Sequence, residues 1–259
     1  AIVETIVSAP HPAALYGAAP LSGAHPILYT IDTATGAAAP VGPIGFNRIS
    51  GMDFDPRSGI LYATGERSGQ STPVLITIDP RTGAGTEVGP TDIRSIHFNN
   101  TATDISFRNS DGMLMAYLGR GGDLATINIA TGKATFVGTT FAANNAGNGL
   151  AFLPDGTLYQ AGDEDLDTLD PQTGRATLVV HLGFSPPANN FPRINAMDYD
   201  SNTGRVFGSL NDGGGNENYL ATIDILTGAV TIVGPTIQGL DALAFFPNTN
   251  RPPAANDDL

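Results

Sequence analysis

Leu28-Tyr29-Thr30-Ile31-Asp32 is followed four residues later by Gly36, and the phrase returns four times. The copies are Leu75-Ile76-Thr77-Ile78-Asp79 with Gly83, Leu124-Ala125-Thr126-Ile127-Asn128 with Gly132, Leu166-Asp167-Thr168-Leu169-Asp170 with Gly174, and Leu220-Ala221-Thr222-Ile223-Asp224 with Gly228. Their first leucines, at positions 28, 75, 124, 166 and 220, stand 47, 49, 42 and 54 residues apart. Self-similarity at about 40 to 50 residues marks a propeller blade. The closing Asp-x-x-Thr-Gly suits a tight hairpin in which the Asx side chain accepts a backbone N–H and the Gly takes a left-handed φ. Asp32, Asp79, Asn128, Asp170 and Asp224 therefore read as turn formers on one face rather than as a catalytic set. After most of these turns a short run ends in Val-Gly, at Val41-Gly42, Val88-Gly89, Val137-Gly138 and Val233-Gly234, which supplies the outer strand of each hairpin.

A second phrase alternates with the first: Gly51-Met52-Asp53-Phe54 then Leu61-Tyr62, Asp104-Ile105-Ser106-Phe107 then Leu114-Met115, Gly149-Leu150-Ala151-Phe152 then Leu158-Tyr159, and Ala196-Met197-Asp198-Tyr199 then Val206-Phe207. The last copy, Ala242-Leu243-Ala244-Phe245, has no following partner, and the missing strand is Leu15-Tyr16-Gly17-Ala18 at the other end of the chain. The expected fold is an all-β five-bladed propeller with four antiparallel strands per blade. Pairing of the N-terminal strands with the C-terminal inner strand closes the ring and removes free edges. The expected organisation is an N-terminal arm over 1–13, the propeller over 14–247, and a Pro-rich acidic tail over 248–259.

The order inner strand, second strand, Leu-x-Thr-Ile-Asp strand, outer strand resembles NHL-like and YVTN-like propeller repeats of secreted bacterial proteins. The resemblance runs from about Ala14 to Pro247. It implies a propeller fold and leaves function open, because such propellers host lectins, scaffolds and hydrolases alike. The tail Asn250–Asp258 is similar to linkers that lead into further domains of large bacterial surface proteins, which implies membership of a larger polypeptide or assembly.

Composition narrows the function classes. The 259 residues carry a formal charge of −13, with 12 Lys and Arg against 25 Asp and Glu, a field that repels nucleic acid and anionic membranes. The absence of cysteine excludes disulfides, thiolate catalysis and Cys-based zinc sites. No apolar run approaches the roughly 20 residues of a transmembrane helix. An opening Ala1-Ile2-Val3 without Met is what removal of a signal peptide or trimming of a longer precursor leaves, and a secreted, extracellular or periplasmic location is expected. There is no Gly-x-Ser-x-Gly elbow, no phosphate-binding Gly-rich loop and no His-Glu-x-x-His helix. His11, His25, His97 and His181 are scattered without ligand-pair spacing and read as surface or loop residues. Asp165 and Asp167 share a strand face and read as a solvated edge. The insert Asn211–Asn218 offers oxygen ligands but lacks EF-hand spacing.

Propeller sites gather where the inner strands converge. Aligned on Phe54, Phe107, Phe152, Tyr199 and Phe245, the residues four earlier are Ser50, Thr103, Asn148, Asn195 and Asp241, all small and polar. Such a ring suits trapped water or a hard cation. It looks like the Asn and Asp metal ring of calcium-dependent propeller lactonases, with five blades in place of six and no Glu. That likeness implies Ca²⁺ at Asn148, Asn195 and Asp241, with His97 or His181 as general base. The entry loops add Asn47, Arg48, Arg94, His97, Asn144, Asn145, Asn189, Asn190 and Arg193, with Phe46, Phe141 and Phe191 beside them. Amides, guanidinium groups and aromatic rings together suit a glycan or a protein ligand. The leading expectation is a non-catalytic binding or scaffold propeller engaging its ligand through this loop face. The alternative is a calcium-dependent, lactonase-like hydrolase.

Overall fold

The computed structural model describes residues 15–20, 25–92, 102–119, 122–143, 146–186, 191–212 and 217–247. The expected arm over 1–13 and tail over 248–259 lie outside them. Every regular element among the described residues is a strand. In chain order they are β1 (Leu15–Pro20), β2 (Pro26–Ile31), β3 (Ala38–Pro43), β4 (Asn47–Phe54), β5 (Leu61–Glu66), β6 (Pro73–Ile78) and β7 (Gly85–Pro90). There follow β8 (Ala102–Phe107), β9 (Leu114–Leu118), β10 (Asp123–Ile127), β11 (Ala134–Thr139), β12 (Gly149–Phe152), β13 (Leu158–Ala161), β14 (Asp165–Leu169) and β15 (Ala176–His181). The chain ends with β16 (Gly183–Phe184), β17 (Arg193–Asp200), β18 (Arg205–Asn211), β19 (Asn218–Ile223), β20 (Ala229–Thr236) and β21 (Ala242–Phe245).

These strands form five small sheets ordered β21-β1-β2-β3, β4-β5-β6-β7, β8-β9-β10-β11, β12-β13-β14-β15 and β17-β18-β19-β20-β16, here blades 1 to 5. Closure follows the sequence pattern: β1 pairs antiparallel with β21 in the register Leu15↔Phe245 to Ala18↔Ala242. Blade 5 departs from the four-strand expectation. Its outer edge is covered by β16, which pairs parallel with β20 at Gly183↔Ala229 and Phe184↔Val230. The longer connection after β15 supplies those two residues, and they satisfy an edge that would otherwise be open.

The hairpin turns form as the repeat dictates. In each, the Asx carboxyl or amide Oδ1 accepts the N–H two residues on, at 2.7 to 2.9 Å for Asp32, Asp79, Asn128, Asp170 and Asp224. The turn glycine N–H donates to the Asx carbonyl at 2.8 Å in all five, with φ between 74° and 79°. The Val of each Val-Gly pair is a bulge residue: Leu28 faces Gly42 and Tyr29 faces Pro40, leaving Val41 as the extra residue.

The glycine after it has a second reason. A Cβ on Gly42 would stand 2.1 Å from the carbonyl O of Thr82 in the next blade's turn, and one on Gly83 2.4 Å from the O of Gly42. Gly89 meets Gly132, Gly138 meets Gly174 and Gly234 meets Gly36 in the same way, so outer strand and next turn touch backbone to backbone around the ring. At the remaining seam the pattern breaks, and Gly228 faces the His181 carbonyl instead.

The core is divided among the five seams. Tyr16, Leu28, Met52 and Phe54 pack between blades 1 and 2, and Tyr62, Ile105 and Phe107 between blades 2 and 3. Met115, Leu150 and Phe152 fill the seam of blades 3 and 4, Leu166, Ile194 and Met197 that of blades 4 and 5, and Leu15, Phe207 and Phe245 that of blades 5 and 1. Successive side chains of a strand point to opposite seams, so both faces are buried, as along β5, β9 and β12.

Candidate functional site

The inner strands β4, β8, β12, β17 and β21 converge on a central channel, and its two ends differ chemically. At the end where these strands begin stand Ser50, Thr103, Asn148, Asn195 and Asp241. The Ser50 hydroxyl donates to the Ala102 carbonyl at 2.5 Å and the Thr103 hydroxyl to the Tyr117 carbonyl at 3.1 Å. Asn195 Nδ2 donates to Asp241 Oδ1 at 3.0 Å. Burial pushes the Asp241 carboxyl above its ordinary range, while the Asn195 amide and the Arg193 charge pull it back. Ser50 thus bridges blades 2 and 3 through a backbone carbonyl, Thr103 bonds within its own blade, and Asn195 and Asp241 pair with each other. A calcium ion needs six to eight oxygens. This ring holds a single carboxylate, whose Oδ1 takes the Asn195 amide. The ring as arranged does not fit a cation.

The flanking candidates fall into three groups. Asn47 Oδ1 lies 2.7 Å from His25 Nδ1, and Arg48, exposed and at φ 48°, sits 3.7 Å from Glu66. Arg193 opens β17, near Asp241. Arg94, His97, Asn144, Asn145, Asn189 and Asn190 lie outside the described residues, as does His11. His181 lies on β15 and contacts Asp165 at 2.5 Å. That contact corrects the solvated-edge reading of Asp165 and Asp167. Both are buried, because the strand places them between β13 and β15, and burial with the Asp165 charge pushes Asp167 up to about 6.

The aromatic residues separate just as clearly. Phe46 packs against the core between blades 1 and 2. Phe141 is 73% exposed and Phe191 78% exposed, in the connections that lead into blades 4 and 5. Phe141 also has a left-handed φ of 57°. The corresponding residues, two beyond the end of β3 and of β7, are Gly45 at φ 82° and Asp92 at φ 50°. Gly and Asp tolerate that conformation, whereas a bulky residue there is strained. Blade 3 places a phenyl ring at this position, holds it out to solvent, and lays the Arg175 guanidinium over it at 5.4 Å.

The opposite, turn-side end of the channel carries residues that motif reading passed over. Asp53 and Asp198, with Ser106, Asn109 and Ser201, line a cavity of about 50 Å³ walled by Phe54, Phe107, Phe152, Tyr199, Phe245 and two prolines. The carboxylates join inner strands of different blades. Asp53 Oδ2 accepts the Phe107 N–H at 2.6 Å, Asp104 Oδ2 accepts the N–H groups of Leu150 at 2.8 Å and Met197 at 3.2 Å, and Asp198 Oδ2 accepts the Phe245 N–H at 2.6 Å. Ser106 does the same for Phe152 at 2.9 Å. Burial raises all three carboxyls: Asp53 and Asp104 well above the usual range, and Asp198 to about 7. The charge of Asp198 adds to the rise at Asp53, and donated N–H groups oppose it at each site. The signal for these residues was present in Asp53-Phe54 and Asp198-Tyr199, one place before the aligned aromatics.

No protein-family model and no curated protein matches the chain. Solved structures do. A chain of a nidogen/laminin complex superposes with a TM-score of 0.55 at 11% identity, over 91% of this chain and 98% of that one. A Bacteroides thetaiotaomicron protein of unknown function gives 0.56 at 14% identity, over 86% and 60%. TolB from Acinetobacter baumannii gives 0.54 at 14% identity, over 91% and 56%. The likeness is one of fold. This chain is a β-propeller, and it spans little more than half of the TolB chain and of the Bacteroides chain. Among its described residues no helix is long and apolar enough to cross a membrane.

Proposed function

We infer that this chain is a non-catalytic binding or scaffold propeller that recognises a glycan or protein through the connections around the strand-entry end of its channel. Phe141 carries the reading. A phenyl ring held in solvent on a left-handed backbone, where two other blades use Gly and Asp, costs about 1 kcal/mol or more in backbone strain. Strain of this kind persists where a surface is used. Exposed Phe191 and the Arg175 fork beside Phe141 add an aromatic and a cationic anchor, residue types that dominate recognition surfaces. A chain in a nidogen/laminin complex shares the fold, so a protein ligand is proposed by analogy alone.

The test is a screen of the purified chain against a glycan array and a displayed peptide library, repeated with Phe141→Ala/Phe191→Ala. Hits weakened tenfold or more in the double variant, at unchanged melting temperature, are expected. Hits that survive the double substitution overturn the assignment, as does hydrolysis of lactones or esters that depends on Asp241.

A further inference from the structure

The strand that closes the ring is held unevenly. Toward blade 5, β21 is tied to β17 by the Phe245 N–H donating to Asp198 Oδ2 at 2.6 Å. Toward blade 2 there is no such tie: Ala244 occupies the place of Asp53 and Asp198, and the Phe54 N–H is taken by Asp53 of its own strand at 2.7 Å. Blades 5 and 2 flank the closing blade, so Asp198 and Asp53 stand on either side of β21 and line one cavity. Among the described residues neither has a cationic partner. The charged groups that face the pair are Asp200 on β17 and Asp104 on β8. Among the described residues β12 and β21 contribute none, and no Lys, Arg or His lines the cavity.

We propose that Asp53 and Asp198 form a pH-operated latch on β21, which keeps the ring shut while the pair is protonated and loosens the closing strand as the pair becomes charged. Two buried like charges without a counter-ion repel and are poorly solvated. Loosening β21 admits water to Asp198 and relieves both penalties. The sign follows from linkage: a carboxyl at about 7 in the shut ring, against an ordinary value near 4 once hydrated, stabilises the shut form fully below about pH 4 and loses that contribution as pH rises through 7. Between pH 5 and pH 8 the opening equilibrium of β21 should rise roughly 50- to 100-fold.

Hydrogen–deuterium exchange read by mass spectrometry tests this, with peptides covering β21 compared with peptides covering β12 at pH 5 and pH 8 after correction for intrinsic exchange. The expected result is a fall in β21 protection of that size against a nearly constant β12. Asp198→Asn removes the dependence, and Asp53→Asn, which leaves the Phe245 tie intact, weakens it several-fold. Protection of β21 that stays level with β12 at both pH values overturns the latch, as does a full response retained in Asp53→Asn.

Discussion

Gly234→Ala is the sharpest test of how the ring is sewn together. Gly234 has no left-handed φ to lose, so the substitution adds one methyl group to ordinary strand backbone. That methyl carbon would stand 2.0 Å from the Thr35 carbonyl O and 3.0 Å from its carbon, across the seam that joins blade 5 to blade 1. Ordinary contact begins near 3.4 Å, so the seam must part by about 1 Å along two backbones that cannot rotate away. Overpacking typically costs about 1–3 kcal/mol, and a backbone obstacle places this case at the upper end. About 3 kcal/mol corresponds to roughly 6–12 °C in melting temperature for a domain of this size. Gly59→Ala is the control, because Gly59 has φ 68° with nothing within 4 Å of its Cβ. It should cost only the left-handed penalty of about 1–2 kcal/mol. Scanning calorimetry of the two variants decides the matter. A Gly234→Ala protein that melts no lower than Gly59→Ala would refute backbone contact as the reason for the Val-Gly pairs.

Phe141→Gly should hold or raise stability by about 0.5 kcal/mol, since relief of the left-handed strain exceeds the entropy that glycine adds to the unfolded chain; a marked loss in urea unfolding would show that the ring is structural. Asp167, pushed up to about 6 by burial, contributes stability that is complete below about pH 4 and lost as pH rises through 6, so Asp167→Asn should flatten the melting profile between those values by an amount on the order of 2 kcal/mol. Addition of Ca²⁺ or of EDTA should leave the melting temperature unchanged; a calcium-dependent rise abolished by Asp241→Ala would instead place a cation at the channel entrance.

The repeat made the fold readable because two physical requirements coincide in it. Asp32-to-Gly36 and its four relatives are demanded by turn chemistry wherever they occur, and the pleat of the strand before them fixes which face meets each seam. The seam contact between Gly42 and Gly83 was visible only as two separate motifs, since nothing in either says that the chain brings them together. The channel was harder to read. Position −4 from the aligned aromatics is polar in all five blades, which drew attention to Ser50 and Thr103, yet their hydroxyls bond to backbone carbonyls. The residues that join inner strands at the other end, Asp53, Asp104 and Asp198, occupy two different alignment positions and alternate with Ser106, Ala151 and Ala244. An irregular set of this kind leaves no periodic trace. β16 left none either, because two residues, Gly183 and Phe184, are enough to cover an edge.

The register Leu15↔Phe245 also sets a timetable for synthesis. Among the described strands β1 leaves the ribosome first, and its partner β21 leaves last. At about 5–20 residues per second the nascent chain carries β1 with one ladder unpaired for roughly 10 to 45 s. Blades 2 to 5 complete their own sheets in that interval, while blade 1 waits as a three-stranded sheet whose β1 edge other strands can capture. Holding chaperones and slow-growing expression hosts should therefore raise the yield of closed rings, and the gain should vanish in a circular permutant that begins at β4 and places β21 directly before β1.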